Sequence, residues 1–268
     1  QYWMAFQMLL GNDDTQSRNM YLYSPQNSTK WYIIPWDNDS ILMKNERRLV
    51  SKDSDQANSW EVGVSNYWGN QLFQRLLKSK EFRKGLDEKM DELRKTITGD
   101  KITSMSNEYA AVIKPYLAKM PDQMHAKTTP DNYDKILADL PNELENNYKI
   151  YKTSLEKPQP FFINKPEVAN NKLKLSWGAS YDFNNSKLTY TVELAKDYEF
   201  KDKVFEKSGL KTLSAETDTL PKGQYFVRVT ATNEAGQSQR AFDYYVNSDN
   251  SKQFGIMSFF VLEDGKLG

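Results

Sequence analysis

Apolar residues recur at helical spacing through the first part of the chain and alternate in twos through the last part. Residues 1–10, QYWMAFQMLL, leave almost no polar face, so they are expected to form a helix buried by other protein. Burying each large side chain is worth roughly 1.5–3 kcal/mol, which calls for a partner surface. With no capping residue and no initiator Met, the segment reads as the end of a helix in a longer protein, its upstream part removed or in a separate chain; the alternative is a helix that simply packs on the rest of this chain, and the two are compatible. Gly11 is expected to end it. A polar loop follows over 12–19, then short strands over 20–23 and 31–34 joined by Pro25-Gln26-Asn27-Ser28, which is turn chemistry. This hairpin leads into Pro35-Trp36-Asp37-Asn38-Asp39, and residues 44–66 read as an extended polar loop. Three helical stripes come next: Phe82, Leu86, Met90, Leu93 and Ile97; then Ile102, Met105, Tyr109, Val112 and Tyr116; then Tyr133, Leu137, Leu140, Leu144, Tyr148, Tyr151 and Leu155. All three are expected to be core, with Pro141 breaking or restarting the last.

Lys157-Pro158-Gln159-Pro160 reads as a stiff linker, after which the period changes. Leu173, Leu175 and Trp177 share one face, as do Leu188, Tyr190, Val192 and Leu194, and again Tyr225, Val227, Val229 and Ala231. Alternating runs separated by Asn, Gly, Asp and Pro predict an antiparallel β-sandwich. The early-strand Trp177 and the late-strand opening at Tyr225 make residues 158–248 resemble a fibronectin type III domain. The resemblance implies that these two side chains are core and corner residues, not a site. Residues 249–268 are left as a C-terminal strand or tail, with 254–262 as its strand.

Composition narrows the classes. The 268 residues suggest about two domains. Lys+Arg and Asp+Glu are both 36, so no net field draws the chain to nucleic acid or to an anionic membrane. The longest apolar-rich stretch near the C-terminus is interrupted by Gly255 and Ser258, well short of the ~20 residues of a spanning helix, so no transmembrane segment is expected. The absence of Cys excludes disulfides, thiolate metal sites and a Cys nucleophile. The single histidine, His125, reads as a surface loop residue, which leaves acid–base chemistry to carboxylates.

Two acidic loops sit at the ends of the predicted hairpin. One is Asn12-Asp13-Asp14, with Asn19 five residues beyond Asp14; the other holds Asp37 and Asp39 behind Trp36. Carboxylate and amide oxygens gathered in this way suit a hard divalent cation, and phosphoryl transfer needs such a set. An Asp with an Asn five residues on is the spacing of a protein-kinase catalytic loop, and a metal-binding Asp follows a short hairpin. The run Gly11-Asn12-Asp13-Asp14, Asn19, Tyr21-Leu22-Tyr23, then Trp31-Tyr32 and Ile34-Pro35-Trp36-Asp37-Asn38-Asp39, resembles the spore coat protein H (CotH) kinase family, a divergent group of atypical secretory kinases. The resemblance extends over the helical segment to about residue 156. It implies Asp14 as the catalytic Asp, Asn19 as a metal ligand and Asp37 as the metal-binding Asp, with Asp39 a ligand, a neighbouring support or a turn former. Asp13 competes with Asp14, and the Asn19 spacing favours Asp14.

The resulting expectation is an α+β chain. Residues 1–157 would be the mostly helical C-lobe of an atypical kinase-like fold with a short hairpin, followed by the fibronectin-like sandwich. The resemblance implies Mg²⁺ or Mn²⁺ with ATP as cofactors. It also implies Ser or Thr of a coat or surface protein as acceptor, and a bacterial extracytoplasmic, cell-surface or spore-coat setting. No Gly-rich loop precedes Asp14, and neither Lys30 nor Lys44 is singled out as a phosphate contact. The nucleotide-binding N-lobe is therefore expected to be missing and this fragment alone to be inactive. Two other classes remain open. Paired Asp among Trp and Tyr also suit a secreted glycoside hydrolase, whose carboxylates would stand ~5–5.5 or ~6.5–9.5 Å apart across a sugar cleft. A non-catalytic surface or spore-coat assembly module is the other.

Overall fold

A computed structural model gives the fold and describes residues 1–12, 14–15, 19–39, 41–42, 63–126 and 128–268. Asp13, Lys44 and most of the 44–66 segment lie outside the described residues. The described part combines helices with antiparallel sheets, an α+β chain. It falls into two compact units: residues up to 42 with Gly69–Lys152, and residues 63–68 with Thr153–Gly268.

In the first unit, helix α1 (Tyr2–Leu10) runs against α4 (Lys80–Thr96). Met4, Ala5, Met8, Leu9 and Leu10 are buried, and the Trp3 ring stacks on Phe73 at 5.9 Å. The apolar first segment thus finds a partner surface within this chain. Gly11 ends the helix at φ 68, and its N–H and that of Asn12 cap Met8 and Gln7 carbonyls. That left-handed φ favours glycine, and a Cβ there would also displace the Asn147 side-chain amide, which would lie 2.6 Å away. The hairpin pairs β1 (Met20–Tyr23) with β2 (Tyr32–Pro35), Met20 opposite Pro35 and Tyr23 opposite Tyr32. A four-residue helix, α2 (Ser65–Trp68), is assigned to the second unit.

The short α3 (Gln71–Lys78) is capped by the Asn70 side chain, and α4 by Ser79. The α4 stripe is core as expected, with Leu86, Met90 and Leu93 buried. The next helix corrects the sequence reading. In α5 (Gly99–Leu117) the stripe expected to be core is exposed at Met105, Tyr109, Val112 and Tyr116, while Ala110 is the buried residue. Periodicity finds an apolar helix face but does not say that anything covers it. His125 ends the short exposed helix α6 (Asp122–His125) rather than lying in a loop. Pro141 does not interrupt α7 (Pro130–Glu156), which runs unbroken through it and buries Leu144 and Tyr151. Tyr151 Oη donates to Asp87 Oδ1 at 2.9 Å and ties α7 to α4.

The second unit is built on two sheets. One orders β3 (Glu167–Ala169), β4 (Lys172–Ser176) and β7 (Ser214–Asp218). The other orders β12 (Ile256–Val261), β8 (Gly223–Thr232), β5 (Thr189–Ala195) and β6 (Lys203–Leu210), with β9 (Ser238–Arg240) also on β8. A separate ribbon pairs β10 (Tyr244–Val246) with β11 (Lys252–Phe254). The alternating residues read from the sequence meet in one core: Leu173, Leu175 and Trp177 from one sheet, Tyr190, Val192, Leu194, Tyr225, Val227 and Val229 from the other. Tyr225 Oη donates to the Pro221 carbonyl at 3.0 Å.

The same unit takes in α2, whose four residues are all buried, so the end of the expected 44–66 loop is helix and core. The Ser65 hydroxyl donates to Gln159 Oε1, Gln159 Nε2 donates to the Ser154 carbonyl, and the Trp68 ring meets Tyr181 and Phe183. On the outer face of the larger sheet, Glu193 accepts from Arg228 Nε at 2.6 Å and Nη2 at 2.8 Å and faces Lys203 at 2.7 Å. Burial works against its charge, but the two cations hold its carboxyl below the usual range.

Candidate functional site

The hairpin and the end of α1 bring the acidic loops together. Asn19 Nδ2 donates to Asp14 Oδ2 at 3.2 Å, so the five-residue spacing closes on itself. The Asp14 backbone N–H donates to Asn12 Oδ1 at 3.2 Å, a local turn that Asx side chains favour. Across the hairpin, Asp37 and Asp39 are exposed and in hydrogen-bonding contact with each other. The Asp39 charge first, then desolvation, the hydrogen bond that protonated Asp37 donates to Asp39 and the charge of Asp14 push the Asp37 carboxyl above its ordinary value. All four predicted residues, Asp14, Asn19, Asp37 and Asp39, therefore lie in one linked patch. Asn19 and Asp37 both have φ 54, a left-handed conformation that costs roughly 1–2 kcal/mol without glycine and that Asn and Asp tolerate best.

The floor of this patch is the C-terminal end of α1. After Asp39 the chain returns to it, where the Leu42 N–H donates to the Leu10 carbonyl at 2.7 Å. A helix C-terminus is the negative end of the macrodipole, so it adds to the field of the acids. Two residues here escaped sequence reasoning. Gln7 is wholly buried and donates from Nε2 to Asn38 Oδ1 at 3.0 Å. Asn12, also buried, donates from Nδ2 to the same oxygen at 3.2 Å and to the Asp37 carbonyl at a long 3.5 Å. The available signal was the lone glutamine in an otherwise apolar segment, Met4-Ala5-Phe6-Gln7-Met8-Leu9-Leu10.

The donor set is oxygen-only and net negative, which fits Mg²⁺ or Mn²⁺ in kind. Among the described residues no group of three or more His, Cys, Asp or Glu is placed to hold a metal ion between them. A cation here would thus be held by Asp37 and Asp39 with the Asn19 amide oxygen, completed by water or phosphate. Beside the acids, Tyr21, Tyr23, Trp31, Tyr32 and Trp36 are exposed, and Tyr21 meets Trp36 edge-on at 5.8 Å.

Residues 2–151 match the family model described as CotH kinase protein, and the chain belongs to that family. No curated protein matches. Among solved structures the chain is similar to the twitchin kinase region from C. elegans (Fn31-NL-kin-CRD-Ig26), at 17% identity over 36% of this chain and 20% of that one, with a TM-score of 0.26. It is also similar to surface layer protein SbsC, domains 1–6, at 12% identity over 76% of this chain and 31% of that one, with a TM-score of 0.18. The chain thus spans about a fifth and about a third of those two structures, and likenesses this slight bear on neither fold nor function. No helix among the described residues is long and apolar enough to cross a membrane.

Proposed function

We propose that residues 1–157 are the C-lobe of an atypical protein kinase and that Asp14, Asn19, Asp37 and Asp39 are its phosphoryl-transfer site, with Mg²⁺ or Mn²⁺ and ATP as cofactors. The observation that carries this reading is the joining of the two acidic loops: Asn12 of the first donates to Asn38 Oδ1 at 3.2 Å and to the Asp37 carbonyl at 3.5 Å in the second, while Asn19 holds Asp14 within its own loop. In this assignment Asp14 accepts the proton of a Ser or Thr hydroxyl on a coat or surface protein. Asn19 holds the Asp14 carboxylate in place through Nδ2 and turns its oxygen toward the cation. Asp37 and Asp39 supply the negative charge that holds the cation. The cation would neutralise charge on the phosphates of ATP. Contact between Asp37 and Asp39 argues against a glycoside hydrolase, whose carboxylates stand ~5 Å or more apart.

Phosphoryl transfer also calls for a loop that covers the nucleotide, carried by a second lobe. The exposed aromatic hairpin beside the acids is the surface we assign to that lobe. Residues 158–248 are proposed to be a fibronectin type III-like module, supported by the three-stranded sheet β3-β4-β7 against the larger sheet and by the Tyr225–Pro221 corner. Residues 249–268 would close it through β12. Family membership supports an extracytoplasmic, cell-surface or spore-coat setting. A second reading, a non-catalytic assembly module on a degenerate kinase scaffold, is favoured by the lack of a group of three acids placed for a metal among the described residues.

The test is transfer of labelled γ-phosphate from ATP to protein by the protein at its full natural length. Transfer that requires Mg²⁺ or Mn²⁺ and disappears in Asp14→Ala and Asp37→Ala is expected. A wild type that binds ATP and cation but transfers nothing would leave the assembly reading.

A further inference from the structure

Between the two exposed acids Asp37 and Asp39 stands Asn38, half-buried. Its Oδ1 takes two hydrogen bonds from beneath, from Gln7 Nε2 at 3.0 Å and Asn12 Nδ2 at 3.2 Å. Both donors are buried, one on α1 and one just past its end, so the middle of the Asp-Asn-Asp run is pinned to the rigid part of the fold. Fixing Asn38 anchors the short stretch of backbone that carries both exposed acids.

Gln7 shows that this arrangement is not simply good packing. Its Oε1 is buried with no hydrogen-bond partner among the described residues. Leucine would fill the same position among Met4, Met8 and Leu10 without leaving a buried acceptor orphaned. Glutamine instead stands at the position from which a donor reaches Asn38. The donors are also uncharged. Lysine or arginine could hold the loop as well, but would cancel part of the charge of Asp37 and Asp39. Amides orient the loop and leave the charge available.

We propose that Asn38, anchored by Gln7 and Asn12, is a positioning residue that sets Asp37 and Asp39 to bind one divalent cation together. The proposal rests on reading these acids as a cation site. Supporting partners of this kind typically contribute ~10–100-fold to metal affinity.

The experiment is calorimetric titration of Mn²⁺ into the chain and its variants, with thermal unfolding recorded for each. Asn38→Ala and Gln7→Leu are each expected to weaken Mn²⁺ binding by about tenfold or more. The double variant should be no weaker than the worse single one, because both break the same link. Tyr151→Phe, which removes a hydrogen bond distant in sequence between α4 and α7, should lower the melting temperature and leave Mn²⁺ affinity unchanged. Wild-type binding that is lost in Asp37→Asn but unchanged in Asn38→Ala would overturn the positioning role and leave the cation site standing. Additive losses in Gln7→Leu and Asn38→Ala would also overturn it. Wild type that binds no Mn²⁺, or binds it equally in Asp37→Asn, would remove the cation site and the positioning role with it.

Discussion

Asn19 Nδ2 lies 3.2 Å from Asp14 Oδ2, and that bond makes the five-residue spacing a structural fact as well as a sequence motif. An amide is both donor and acceptor, so the same side chain steadies Asp14 and offers Oδ1 to a cation. Asn19→Ala removes both functions. Phosphate transfer by the protein at its full natural length is expected to fall by about 100-fold, with a higher Mg²⁺ concentration needed for half-maximal rate. Rate measured against Mg²⁺ concentration checks this.

The crowding of Asp37 carries a pH dependence of known sign. Its folded carboxyl is raised above the ordinary 3.8, chiefly by Asp39. Between the ordinary and the raised value the folded chain holds a proton that the unfolded chain has released. The stabilisation from this group is therefore complete below 3.8 and is lost as pH rises through the folded value. Asp39→Asn should remove most of this slope. Mg²⁺ should stabilise wild type at neutral pH and cease to do so as pH falls through the folded value of Asp37. Thermal melts across pH, with and without Mg²⁺, test both statements.

Glu193 behaves in the opposite way. Arg228 and Lys203 hold its carboxyl below the ordinary 4.5 despite burial. Its stabilisation is present above 4.5 and is lost as pH falls through the depressed folded value. Arg228→Met breaks the bidentate contact and leaves a largely buried carboxylate with Lys203 alone. A loss of about 3 kcal/mol is expected, and adding Glu193→Gln should recover part of it. Urea unfolding of the single and double variants reads this directly.

In the helical unit, Leu9 is fully buried where α1 runs against α4, close to the residues that floor the acidic patch. Leu9→Ala should cost roughly 2–5 kcal/mol through the lost transfer energy and the cavity left behind. If α1 is the floor of the site, the same variant should also weaken Mn²⁺ binding. Denaturant unfolding and Mn²⁺ titration on one sample separate the two effects.

The sandwich was the most legible part of the sequence, because a period of two places every second residue inward whatever the neighbouring loops do. Leu173, Leu175, Trp177, Val192, Leu194, Val227 and Val229 all reach the core as read. Helical periodicity says less. The Met105, Tyr109, Val112 and Tyr116 stripe marks a helix correctly but lies exposed, since burial depends on what packs there. Pro141 looked like a break, yet a single missing N–H and a local clash are tolerated within this 27-residue helix. At the acidic patch, residue types and spacing were visible. The amide support was not, because Gln7 and Asn38 are 31 residues apart and meet only after the hairpin folds.

The most direct test of the central claim is a crystal of the protein soaked in Mn²⁺ and measured at the manganese edge. The account predicts an anomalous peak bounded by the carboxylates of Asp37 and Asp39 and the Asn19 amide oxygen, absent in crystals of Asp37→Asn. A well-ordered acidic patch with no peak, or a peak elsewhere on the chain, would contradict it.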